Sequence, residues 1–142
     1  MKILKHPLHV MLIHFPTALL HANLVLSYLY YNTDNEHYGY AAFYCLIGGV
    51  ALGLLSGITG FIDLVMIKDK TAMGAAFVHG GINLTAILVF SVFAYKGWKV
   101  YPQMQAPTVT VLIIKMMTVI FMLAGNYFGG RLILKHHIAI EK

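Results

Sequence analysis

Eight histidines stand against five acids in this chain of 142 residues, and the ionisable groups that interrupt apolar sequence gather where helix ends would meet. His6, His9 and His14 open the first apolar stretch, Asp63 falls near the end of the second, His79 and Asn83 near the start of the third, and Arg131, His136 and His137 close the fourth. Ionisable groups at membrane depth are costly and mark function. His14 and His79 each lie about 10 Å, two helical turns, inside the start of their helix and so share a depth. First and third helices of an up-and-down bundle are diagonal across its core. Two imidazoles facing each other there suit an iron bound from both sides, as in b-type haem sites. His14 and His79 are therefore the expected axial ligands. Asp63, Asn83 and His136 would surround them, with Asp63 accepting a proton from a ring nitrogen of His79 and fixing its tautomer, or pairing with Arg131. Arg131, with Lys68 or Lys70, would pair with the propionates. No C-x-x-C-H is present, which excludes covalent c-type attachment.

Other readings compete. A histidine near a helix end also serves by hydrogen-bonding a backbone carbonyl or interfacial water. A non-haem zinc or iron held by His14, His79, His136 and Asp63 has suitable donors, but no H-x-x-x-H or E-x-x-H spacing supports it. His21 shares the face of His14 about 10 Å deeper, and Ala86 at the matching depth of the third helix offers it no partner. His37 is expected in a solvated loop. Lys115 is expected to extend toward the nearer interface, with no further role.

The elements that must position these residues follow from composition. With 59% hydrophobic residues, 11% charged ones and a mean hydropathy of +0.74, the chain carries more apolar surface than a soluble domain of its length can hide. Four segments are long enough to span a membrane, at about residues 8–31, 38–67, 72–95 and 107–134. The expected fold is all-α, a single integral membrane four-helix bundle over residues 1–142. Short loops make it up-down-up-down. Its first stretch does not read as a cleavable signal peptide. The ten basic residues are scattered, which argues against nucleic acid. Lys2, Lys5, Lys68, Lys70, Arg131, Lys135 and Lys142 fall at one end and Lys96 and Lys99 at the other, so both termini are expected in the cytoplasm. Tyr28, Tyr30, Tyr31, Tyr38, Tyr40, Tyr95, Trp98 and Tyr101 would form an aromatic belt at the opposite interface. Gly49, Gly53, Gly57 and Gly60 form a stripe that admits a close-packed helix or, alternatively, a flat ligand. The single cysteine, Cys45, offers no disulfide and no thiolate cluster.

The opening His6-Pro7-Leu8-His9 and His14-Phe15-Pro16 resembles the H-P-x-H-P-x-x-x-H-F-P start of a bacterial family of predicted four-helix membrane proteins, a domain of unknown function. Gly60-Phe61-Ile62-Asp63, His79 with Asn83, and Gly129-Gly130-Arg131-Leu132 leading to His136 extend the resemblance over nearly the whole chain. Val10 stands where that pattern has a second proline, and His137 where it has a glycine. Some relatives are fused to a Rieske-type iron–sulfur domain, which implies a redox setting.

The leading expectation is a small b-type cytochrome of the bacterial inner membrane, binding one haem and passing electrons between a quinol or redox protein and a partner. A cofactor-free subunit of a larger membrane complex or homo-oligomer, and a metal or proton transporter, are the competing classes. No nucleophile, phosphate loop or paired carboxylate supports hydrolytic chemistry.

Overall fold

The computed structural model describes residues 2–134 apart from residues 4, 5 and 68. Helices α1 (Leu8–Leu12) and α2 (His14–Thr33) form the first span, and α3 (Glu36–Val65), α4 (Lys70–Val100) and α5 (Val109–Leu134) the other three. All four spans are long and apolar enough to cross a membrane. The all-α four-helix bundle read from the sequence is thus the fold. Lys96 and Lys99 differ from expectation: α4 runs on through them to Val100.

The break in the first span has a local cause. Pro16 has no N–H to donate to the carbonyl of Leu12, and the helix is interrupted at Ile13 before resuming at His14. Beyond it, the buried stripe of α2 is Pro16, Leu20, Asn23, Ser27 and Tyr30, alternating three- and four-residue steps as one helical face requires. A two-residue turn joins α2 to α3. Asp34 there adopts a left-handed conformation (φ 51°) and its N–H caps Tyr30, while Asn35 Oδ1 accepts from the His37 N–H at 3.0 Å. His37 therefore belongs to the first turn of α3, not to a loop. Asp69 caps α4 by accepting from both the N–H and the hydroxyl of Thr71.

The densest packing joins α2 to α3 and α4 to α5. Contact between α3 and α4 is intermediate, and α2 meets α5 only sparingly. The bundle is thus two antiparallel hairpins laid side by side. Glycines of α3 set the closeness within the first hairpin and between the two: a Cβ on Gly49 would stand 2.7 Å from Leu20 of α2, and one on Gly53 2.3 Å from Ile87 of α4. At Gly49, Gly53 and Gly60 the stripe is occupied by protein side chains. Gly57 meets nothing within 4 Å.

Along its axis the bundle is layered. At the terminal end, where the first span begins and the last ends, sit His9, Ser56, Thr59, His79 and Asn83. A dry cluster of Leu20, Leu46, Ile87, Phe90, Val119 and Met122 follows. Beyond it lies a second polar layer, Asn23, Ser27 and Lys115, all buried. The far end is aromatic: Tyr101 stacks on Phe43 at 5.4 Å and on Trp98 at 6.5 Å, and Tyr30 Oη donates to the Met104 carbonyl at 3.1 Å.

Candidate functional site

The structure sets His79 against His9, not His14. Their ring centroids are 6.0 Å apart and the rings nearly perpendicular, at 78°. His14 is exposed. It lies two residues before Pro16, about 200° around the helix, and so faces away from the buried stripe of α2. His9 instead lies seven residues, two helical turns, before Pro16, and because Ile13 keeps a helical conformation with the bonds Ile13 N–H to His9 and Thr17 N–H to Ile13 in place, it falls on the inward face.

Each of the paired rings is held by its own hairpin. His9 Nδ1 donates to the Ser56 carbonyl at 2.8 Å, with Ser56 Oγ 3.2 Å away and Thr59 Oγ1 donating to the same carbonyl at 2.9 Å. His79 Nδ1 donates to the Gly125 carbonyl at 2.7 Å. A carbonyl oxygen only accepts, so in both rings Nδ1 carries the hydrogen. In the neutral imidazole, Nε2 is then left with its lone pair free for a metal. The acceptor on His79 Nδ1 is thus the Gly125 carbonyl rather than the Asp63 carboxylate. Asn83, one turn from His79 as expected, donates Nδ2 to the His79 carbonyl at 2.9 Å and so braces the helix around the ring.

Each ring also rests on a glycine. A Cβ on Gly60 would lie 2.7 Å from Cε1 and 2.8 Å from Nδ1 of His9. One on Gly129 would lie at the same 2.7 and 2.8 Å from those atoms of His79. No side chain larger than hydrogen fits under either ring as placed. Gly60 follows Ser56 by four residues, and Gly129 follows Gly125 by four. The two hairpins therefore repeat one seat: a histidine from the first helix bonds a carbonyl of the second, over a glycine one turn further on. Spacing in the sequence (a small residue, three others, then glycine) was the available signal for Ser56, which sequence reasoning passed over.

The remaining expected residues are distributed more widely. Asp63 is half-buried on α3. Arg131 is half-buried in the last turn of α5 and borders an open groove of about 620 Å³ shared with Asp69, Thr71 and Phe128. Lys70 is exposed, while Lys68 and His136 lie outside the described residues. His21 donates Nδ1 to the Thr17 carbonyl of its own helix at 2.6 Å. Among the described residues there is no group of three or more histidine, cysteine or acidic side chains arranged for a metal. Lys115 departs most from expectation. It is 6% exposed and turned inward, its Nζ donating to Ser27 Oγ at 2.8 Å.

No curated protein and no solved structure matches this chain. Residues 5–142 match a family described as predicted membrane protein (DUF2231). With nearly its whole length matched and four helices able to span a bilayer, the chain belongs to that predicted membrane protein family.

Proposed function

We propose that this protein is a small membrane electron carrier whose haem iron is held by His9 and His79. The observation that carries the reading is the paired seat: two imidazoles from opposite hairpins, 6.0 Å apart between centroids, each with Nδ1 committed to a carbonyl. A metal–nitrogen bond of about 2.1 Å, plus about 1.1 Å from nitrogen to ring centre, sets two imidazoles sharing one ion about 5–6.5 Å apart. A zinc site takes three or four protein ligands. A haem brings four nitrogens of its own and needs two more, the number that His9 and His79 supply. Bound there, haem would supply single-electron exchange. The chain's own contribution is to hold both rings in one tautomer, through carbonyls that cannot themselves titrate, and to seat them on glycines. Arg131 stands at the same end of the bundle as a partner for a propionate.

The excess of basic residues at the terminal end supports an orientation with both termini in the cytoplasm of a bacterial inner membrane. Electrons would be exchanged with a quinol or a redox protein.

The test is a reduced-minus-oxidised optical spectrum of protein purified in detergent after supplying haem. A b-type spectrum that disappears in His9→Ala and in His79→Ala, yet persists in His14→Ala, is the expected result. A colourless wild-type protein that takes up no haem would overturn the reading.

A further inference from the structure

Arg131 and Asp69 bring opposite charges to one groove at the terminal end of the bundle. The groove, of about 620 Å³, is lined by Asp69, Thr71, Gly74 and Val78 from the start of α4 and by Phe128 and Arg131 from the end of α5. Its size falls within the roughly 300–1,000 Å³ of small-molecule sites. Neither His9 nor His79 lines it.

The lining changes character along its length. Thr71, Gly74 and Val78 follow one another at three- and four-residue steps, so they share a face of α4, and Thr71 to Val78 covers about 10 Å along the axis. The charged and hydroxyl groups stand at the helix ends: Asp69 caps α4 and Arg131 is in the last turn of α5. Gly74, Val78 and Phe128 continue inward without a polar side chain. Val78 is 43% exposed and a Cβ on Gly74 would meet nothing within 4 Å, so this inner part opens on the outer surface of the bundle. In a spanning helix the ends lie at the headgroup layer and the inner turns among acyl chains. The groove therefore has the polarity of an amphiphile lying along the helix, head at the bundle end and tail inward.

We propose that this groove seats one molecule of phosphatidylethanolamine, its phosphate at Arg131, its ammonium at Asp69 and the start of an acyl chain along Gly74, Val78 and Phe128. A guanidinium grips a phosphate with paired N–H donors. The Asp69 carboxylate has two oxygens, and both bonds from Thr71 fall on Oδ1. One cation and one anion match a zwitterionic head. An anionic head such as glycerol phosphate would set its charge beside Asp69 with nothing to offset it, and a trimethylated amine has no N–H to donate. The inference is independent of the electron-carrier reading: it needs no haem, and the five donors of a guanidinium can hold a propionate beside a phosphate.

The experiment is native mass spectrometry of the full chain, free of haem and exchanged into lipid-free detergent. It is titrated with dioleoyl phosphatidylethanolamine, phosphatidylcholine or phosphatidylglycerol. One bound phosphatidylethanolamine is expected, at least tenfold tighter than either of the others. Arg131→Gln should weaken it at least tenfold. So should Gly74→Leu, which fills the groove from an exposed position and serves if Arg131→Gln fails to fold. Asp69→Asn keeps a residue suited to cap α4 and should bring phosphatidylethanolamine down to the level of phosphatidylcholine. Equal binding of the three lipids by the wild type would overturn the proposal, as would unchanged selectivity in Asp69→Asn. A preference for phosphatidylglycerol would also overturn it, marking a seat for anionic heads at Arg131 instead.

Discussion

His9 and His79 meet at 6.0 Å between ring centroids, and each is anchored within its own hairpin, to Ser56 over Gly60 and to Gly125 over Gly129. The contact between the rings is therefore a contact between two separately supported halves. Moving either ring requires breaking a bond to a backbone carbonyl that has no freedom to follow.

This arrangement separates the histidines by their cost of removal. His79→Ala opens a cavity and orphans the Gly125 carbonyl, for a loss of about 2–4 kcal/mol. His14→Ala, at an exposed position, should change stability by less than about 0.5 kcal/mol. Thermal unfolding in detergent, followed by circular dichroism without added haem, measures both. A larger loss for His14→Ala would contradict the inward placement of His9.

The glycine seats are testable without touching a histidine. Gly60→Ala and Gly129→Ala each place a Cβ 2.7 Å from an imidazole carbon, and displacing ring or helix should cost about 1–3 kcal/mol. Gly57→Ala and Gly74→Ala meet nothing within 4 Å and should be neutral or stabilising by up to about 1 kcal/mol. Comparing the four melting temperatures checks the seats directly.

At the far end, Tyr30→Phe removes the bond from Tyr30 Oη to the Met104 carbonyl while keeping the ring. The expected cost is about 0.5–1.5 kcal/mol. Proteolysis should also become faster in the segment between α4 and α5, which that bond ties to α2. Mass spectrometry of the first cleavage products locates the change.

Orientation is read by labelling. In a Cys45→Ala background, a membrane-impermeant maleimide added to intact cells should modify Gln103→Cys and spare Lys70→Cys until the cells are permeabilised. Both positions are exposed. The reverse result would invert the proposed topology.

The spans were legible because apolar length alone dictates them, and His79 with Asn83 because a four-residue spacing needs no tertiary information. The choice between His9 and His14 was not legible from depth. It turns on helical phase, which carries through Ile13 in a helical conformation. The stripe Pro16, Leu20, Asn23, Ser27 and Tyr30 does give that phase once read backward from the end of α2. Lys115 was misjudged in a related way. Its distance from the helix end allows the side chain to reach the interface, but it shares a face with Thr118, Met122 and Gly125, all buried, and that face decides where it goes.

Building the same cradle twice along one polypeptide has a mechanical outcome. Whatever bridges the rings also rivets one hairpin to the other, across halves otherwise joined chiefly through α3 and α4. A molecule with a group bound between the rings would resist being pulled into its two halves, and one without it would have a looser joint at the terminal end.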